Sequence, residues 1–198
     1  MKKNLFLFPS CVGSILYKDI VLLLKNFLNN RGFKTFIIKK PFCCGQVFYN
    51  TGNLKETHKI LFQICKHFKN KEILILSGSC LEFLVKNIPK ILGKDLNFKI
   101  KEITEFFIEE KLVDFVPEYH KSCHFKTLKG EKLDFFSCCG FGGVFSSLYP
   151  QISDRIFKIK FKETKKVLSC EPGCSLFILS KGLKTEHPLE SIIKKIEK

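Results

Sequence analysis

The sequence predicts an α/β fold made of two tandem halves, each a parallel sheet flanked by helices. Two observations carry this prediction. Short apolar runs alternate along the chain with longer stretches of helical periodicity, the pattern of repeated βα units. The rare residue cysteine recurs in two similarly spaced sets, which marks an internal repeat. Together they describe two Rossmann-like halves, residues 1–112 and a shortened 113–198, each with one Cys-Cys-Gly motif. The length of 198 residues suits one domain or two small packed halves, and 45% hydrophobic content supplies a core.

The elements follow in order. Leu5–Phe8 reads as a first strand, and Ser14 to about Asn30 as a helix capped by Gly32. Phe33–Ile38 reads as the second strand. Asn53, with Glu56 three residues on, is an N-cap signature for a helix reaching about Phe68. Ile73–Leu76 reads as the third strand, and helices are expected over about Leu81–Leu92 and Ile103–Glu110. The pattern then restarts. Val116–Lys121 is strand-like although Pro117 weakens it, and Leu133–Phe136 is strand-like too. A helix over Gln151–Glu163, a short strand Val167–Leu168 running to Cys170, and helices Gly173–Lys181 and Pro188–Glu197 complete the chain.

In this arrangement the cysteines fall at strand ends. Cys11 follows strand one, Cys43 and Cys44 follow strand two, and Cys80 follows strand three. The carboxyl ends of parallel strands lie at one edge of a sheet, so residues about 30 apart in sequence converge there. The first set has 31 residues between Cys11 and Cys43-Cys44, then 35 before Cys80. The second has 14 residues between Cys123 and Cys138-Cys139, then 34 before Cys174. The 14-residue gap is short for a βα unit, so a helix is expected to be missing from the second half. Each pair is followed by a glycine, Gly45 or Gly140, suited to positive φ or to close backbone approach. Both quartets are candidate metal-ligand sets, whereas Cys65 lies within a helix and reads as a packed thiol. Cys170 reads either as a spare ligand or, in preference, as a core thiol.

Composition narrows the classes further. Ten cysteines in a chain expected to be cytoplasmic point to metal or redox chemistry rather than disulfides. The N-terminal Met1-Lys2-Lys3 and Leu5–Phe8 have the flavour of a secretion signal, but the apolar stretch is shorter than the roughly 7–15 residues such a signal uses. No apolar run approaches the roughly 20 residues of a membrane span. The net charge of +15 comes from lysine, with Arg31 and Arg155 the only arginines, and the lysines are mixed with glutamates. This argues against nucleic-acid readout and for a solvated surface that leaves room for an acidic partner or peripheral association with an anionic membrane.

Several motifs resemble one known family. Cys43-Cys44-Gly45-Gln46, Tyr49-Asn50-x-Gly52, Ser77-Gly78-Ser79-Cys80, Ser122-Cys123-His124 and Cys138-Cys139-Gly140-Phe141-Gly142-Gly143-x-Phe145-Ser146 are similar to the CCG cysteine-rich domains. These occur in the cysteine-rich component of heterodisulfide reductase, in the glycolate oxidase iron–sulfur subunit and in a lactate-utilisation branch, which the Phe-Gly-Gly-x-Phe-Ser continuation resembles most. The resemblance implies one or two [4Fe–4S] clusters, ligated by Cys11, Cys43, Cys44, Cys80, Cys123, Cys138, Cys139 and Cys174. It also implies electron transfer beside other iron–sulfur subunits in the oxidation of L-lactate to pyruvate. The heterodisulfide-reductase pattern carries a fifth cysteine where this chain has Phe83 and, in the second set, Phe177. That departure favours cubane clusters over heterodisulfide cleavage. A structural zinc site on four thiolates is the third reading. His124 is placed either to hydrogen-bond a sulfur or to sit on the surface near the site. No catalytic triad or carboxylate pair stands out.

Overall fold

A computed structural model describes residues 3–38, 43–134 and 137–197. Its first half is a four-stranded, all-parallel sheet of β1 (Asn4–Phe8), β2 (Lys34–Ile37), β3 (Glu72–Ile75) and β4 (Lys99–Glu102), in the order β2-β1-β3-β4. Alternation along the strands explains its two covered faces. Leu5, Leu7, Leu74 and Leu76 point to one side, where α2 (Lys18–Asn30) and α6 (Ile103–Glu109) pack. Phe8, Ile73 and Ile75 point to the other, against α4 (Leu54–Phe68), which follows the short α3 (Gln46–Asn50), and α5 (Gly78–Leu92). The Asn53 cap is present: its side chain accepts the Glu56 amide at 3.1 Å. β4 escapes the sequence pattern because Lys99-Ile100-Lys101-Glu102 is an edge strand, and edges are kept charged.

The second half is smaller. It holds α7 (Cys123–Leu128), α8 (Val144–Leu148), α9 (Pro150–Lys160), β5 (Lys166–Leu168), α10 (Pro172–Ser180), β6 (Lys184–Glu186) and α11 (Pro188–Ile196). β5 and β6 pair in parallel, and β6 is again a polar edge strand. The expected strand over Val116–Lys121 reduces to a single parallel bridge, His120 to Ser169, since Pro117 has no amide hydrogen to give a ladder. Of the expected strand Leu133–Phe136, Leu133 and Asp134 are irregular, and Phe135 and Phe136 lie outside the described residues. Superposing the two sets by order shows what the short gap removes. Where the first half has α1 (Gly13–Leu16), α2 and β2, the described residues of the second half have α7 alone.

The halves are interlocked crosswise. α1 packs on α10 and α5 on α7, so each half's cysteine-bearing turns meet the other's. α11 crosses back, placing Leu189 and Ile193 in the core beside α2. No described helix is long and apolar enough to cross a membrane.

Candidate metal centre

Serines place the cysteines. Ser10 Oγ accepts the Gly13 amide at 3.2 Å, and Ser77 and Ser122 cap α5 and α7 by accepting the amides of Cys80 and Phe125. Cys11 is thereby held just ahead of α1, Cys80 and Cys123 in the first turns of α5 and α7, and Cys174 lies in the first turn of α10. The longer helices, α5 and α10, present the positive ends of their dipoles there, which favours thiolate.

The glycines after the pairs work alike. Gly45 has φ +96° and Gly140 φ +93°, a left-handed turn that aims each amide at the first thiol of its pair, 3.3 Å from Cys43 Sγ and from Cys138 Sγ. At Gly140 a Cβ would lie 2.6 Å from the Ser153 carbonyl oxygen, so no side chain fits without a shift. Phe83 and Phe177, at the fifth-ligand positions, are both buried and stand behind these turns, 3.6 and 3.4 Å from where a Cβ on Gly45 or Gly140 would be.

All eight cysteines line one cavity of about 350 Å³. They remain two groups within it. Cys11 hydrogen-bonds to Cys43, Cys43 to Cys44 and Cys44 to Cys80. Cys123 hydrogen-bonds to Cys138, while Cys139 and Cys174 have Sγ atoms 3.1 Å apart. All ten cysteines are free. Hydrogen bonds from the Cys11 and Cys44 thiols, with the Gly45 amide, lower the Cys43 pKa to about 3. The Cys123 thiol does the same for Cys138, lowering it to about 6, helped by the Gly140 amide and the nearby Lys160 charge. The cost appears on the partners: Cys11, Cys44, Cys123 and Cys174 are pushed up by the hydrogen bond shared with a neighbouring sulfur and by burial. Each quartet thus gathers four soft donors that repel one another when ionised, a set that a thiophilic metal or an iron–sulfur cluster would neutralise. Cys65 and Cys170 are buried and outside the cavity wall.

The polar groups on and around this cavity are partly unforeseen. His124 Nδ1 pairs with Glu82 Oε2 at 2.5 Å, and Glu82 also accepts from Lys86 at 2.6 Å. The Glu82 carboxylate raises the His124 pKa. Glu171, passed over in the sequence, is 4% exposed and joins the halves. It accepts from Ser77 Oγ at 2.9 Å, the Ser79 amide at 2.9 Å and Ser79 Oγ at 3.0 Å. It occupies the N-cap position of its own α10 yet caps α5 across the cavity. A ring nitrogen of His120 lies within 4.8 Å of the sulfurs of Cys139 and Cys174. Aligning the two cysteine sets would have flagged both, since Glu171 falls opposite Ser77 and His120 opposite Phe8.

Two interlocked α/β halves, each bringing Cys-Cys-Gly and two further cysteines to a shared cavity, define a class, and residues 5–84 and 124–178 match it: the CCG family, described as Cysteine-rich domain. The chain belongs to this family. Among similar curated proteins is Lactate utilization protein A of Oceanobacillus iheyensis, 32% identical over 90% of this chain and 88% of that protein. Lactate utilization protein A 1 of Bacillus mycoides is 28% identical over 99% and 95%, and Lactate utilization protein A of Geobacillus kaustophilus 27% over 93% and 96%.

Proposed function

We propose that this chain is an iron–sulfur electron-transfer subunit acting in lactate utilisation, with one cluster on each cysteine quartet. The observation that carries the reading is the convergence of two four-thiol sets on one cavity. Four thiolates per set fit a [4Fe–4S] cluster, which supplies a one-electron carrier when bound. Cys11, Cys43, Cys44 and Cys80 hold one, and Cys123, Cys138, Cys139 and Cys174 the other. Gly45 and Gly140 donate amide hydrogens to sulfur, and Phe83 and Phe177 keep water from the rear of each turn. The halves are taken to divide near residue 112, and the free thiols agree with a reducing, cytoplasmic setting. Lactate enters through the names of the relatives; neighbouring iron–sulfur subunits as partners are what the family resemblance implies.

Anaerobic purification with iron, sulfide and zinc assays tests this. Expected are about eight iron and eight sulfide per chain, and about half of each in Cys44→Ser or Cys139→Ser. A colourless, iron-free protein after cluster reconstitution, or one holding stoichiometric zinc, would overturn it. Phe83 and Phe177 remove the fifth thiolate of heterodisulfide cleavage, so no disulfide reduction with a reduced viologen dye is expected.

A further inference from the structure

The two sites are not equivalent, and the difference sits three residues before the first cysteine of each set. In the first half this position is Phe8, in the second His120. Both rings occupy the same station. Phe8 meets Phe68, the last residue of α4, edge to face with centroids 5.6 Å apart. His120 meets Phe161, just beyond α9, edge to face at 6.1 Å. Phe8 shares an apolar cluster with Cys44 and Cys80, so the first site has a dry hydrocarbon wall there. At the second site the same wall carries an imidazole within 4.8 Å of Cys139 and Cys174 Sγ.

Lys160 decides which way that imidazole is protonated. Its Nζ lies 3.0 Å from His120 Nδ1. An ammonium group only donates, so Nδ1 must accept and the ring proton sits on Nε2. Nε2 is buried and has no hydrogen-bond partner among the described residues. A buried N–H left without an acceptor is costly, so the position calls for an acceptor that the cysteine site would supply when filled. The same tautomer rules out Nε2 as an iron ligand, because its lone pair is replaced by the proton. Lys160 also lies close enough to Cys138, Cys139 and Cys174 to interact with their charges.

We propose that His120, oriented by Lys160, donates Nε2–H to sulfur at the second quartet and makes that site the more readily reduced of the two. The inference rests on the iron–sulfur reading. Adding an electron makes a site more negative, and a hydrogen-bond donor backed by a fixed cation stabilises that added charge. Phe8 offers the first site neither. Electrons from an iron–sulfur donor subunit therefore run from the Cys11/Cys43/Cys44/Cys80 site to the Cys123/Cys138/Cys139/Cys174 site and leave to a one-electron acceptor. One electron moves in each step, no bond is made or broken, and His120 and Lys160 keep their protons. His120 is a positioning residue here.

The test is an EPR-monitored redox titration of the anaerobically reconstituted full chain, with signals assigned through the Cys44→Ser and Cys139→Ser variants. A wild type without iron would sink the cluster reading itself, before any variant is compared. In wild type the second-quartet signal should have the higher midpoint. His120→Phe, which copies the first half, should lower that midpoint towards the first and leave the first unchanged. His120→Gln should restore much of the shift, since its amide can accept from Lys160 and donate to sulfur. Unchanged midpoints at full iron content, or an equal shift of both signals, would refute the proposal. If His120→Phe fails to assemble the second site, Lys160→Met decides: a lowered second midpoint supports the relay and an unmoved one refutes it. A directly bonded nitrogen coupling in pulsed EPR would also overturn it, since ligation needs the lone pair of Nε2.

Discussion

Glu171 should be the single most costly residue to truncate among those that join the halves without touching a cysteine. Its carboxylate is 4% exposed and accepts three hydrogen bonds from Ser77 and Ser79, all 3.0 Å or shorter. Hydrogen bonds to a charged group contribute about 1.5–3 kcal/mol each, but three on one carboxylate do not add fully. Glu171→Ala leaves the Ser79 amide and two hydroxyls facing a void, and such breaks typically cost about 3–5 kcal/mol. Glu171→Gln is milder. Its oxygen can keep the Ser79 amide while its NH₂ donates to the serine hydroxyls, so only the charge-assisted part is lost, about 1–2 kcal/mol. Urea denaturation of the metal-free, reduced full chain, followed by circular dichroism, measures both. Iron bound per chain should fall in Glu171→Ala at both sites, because α5 carries Cys80 and α10 carries Cys174. A loss below about 1 kcal/mol in the alanine variant would mean that water satisfies these donors and that the cross-cap does not hold the halves together.

Three further outcomes are expected. Glu102 is fully buried, and burial raises its pKa from 4.5 to about 7 against the hydrogen bonds from Thr104 and Glu105 that favour its charge. The folded chain then binds more protons than the unfolded one between these values, so stability should fall as pH rises from 4.5 to about 7, by on the order of 3 kcal/mol, and Glu102→Gln should flatten that slope in pH-dependent urea titrations. Gly140→Ala should destabilise by more than Gly45→Ala, since both carry positive φ, costing about 1–2 kcal/mol, but only at Gly140 does the new Cβ strike backbone, 2.6 Å from Ser153 O, against 3.4 Å from an Ile60 methyl at Gly45; paired thermal melts would show it. Cys65→Ala should cost about 1–2 kcal/mol of packing in the α4 core and leave iron content unchanged on colorimetric assay, because this thiol lies outside the cavity.

Much of the fold was legible because the residues that determine it are local. The continuous apolar runs Leu5–Phe8 and Ile73–Leu76 mark buried parallel strands, and Asn53 with Glu56 marks the start of α4. β4 and β6 were not legible. Their charged sequences suit a sheet edge, and an edge strand is recognised by its neighbour rather than by its own pattern. The strand expected at Val116–Lys121 survives as the His120 bridge alone, because Pro117 has no amide hydrogen to give a ladder.

The sequence by itself determined the cysteine spacing, the two glycine turns and the absence of a fifth thiol, since each is written in near neighbours. Only the tertiary structure decided that both quartets face one cavity, that Glu171 of one half caps the helix of the other, and that His120 replaces a phenylalanine wall beside Cys139 and Cys174. Those relations join groups far apart in the chain, 94 residues in the case of Ser77 and Glu171. No local propensity encodes such distances. They follow from parallel strands sharing a carboxyl edge and from two halves packed crosswise upon it.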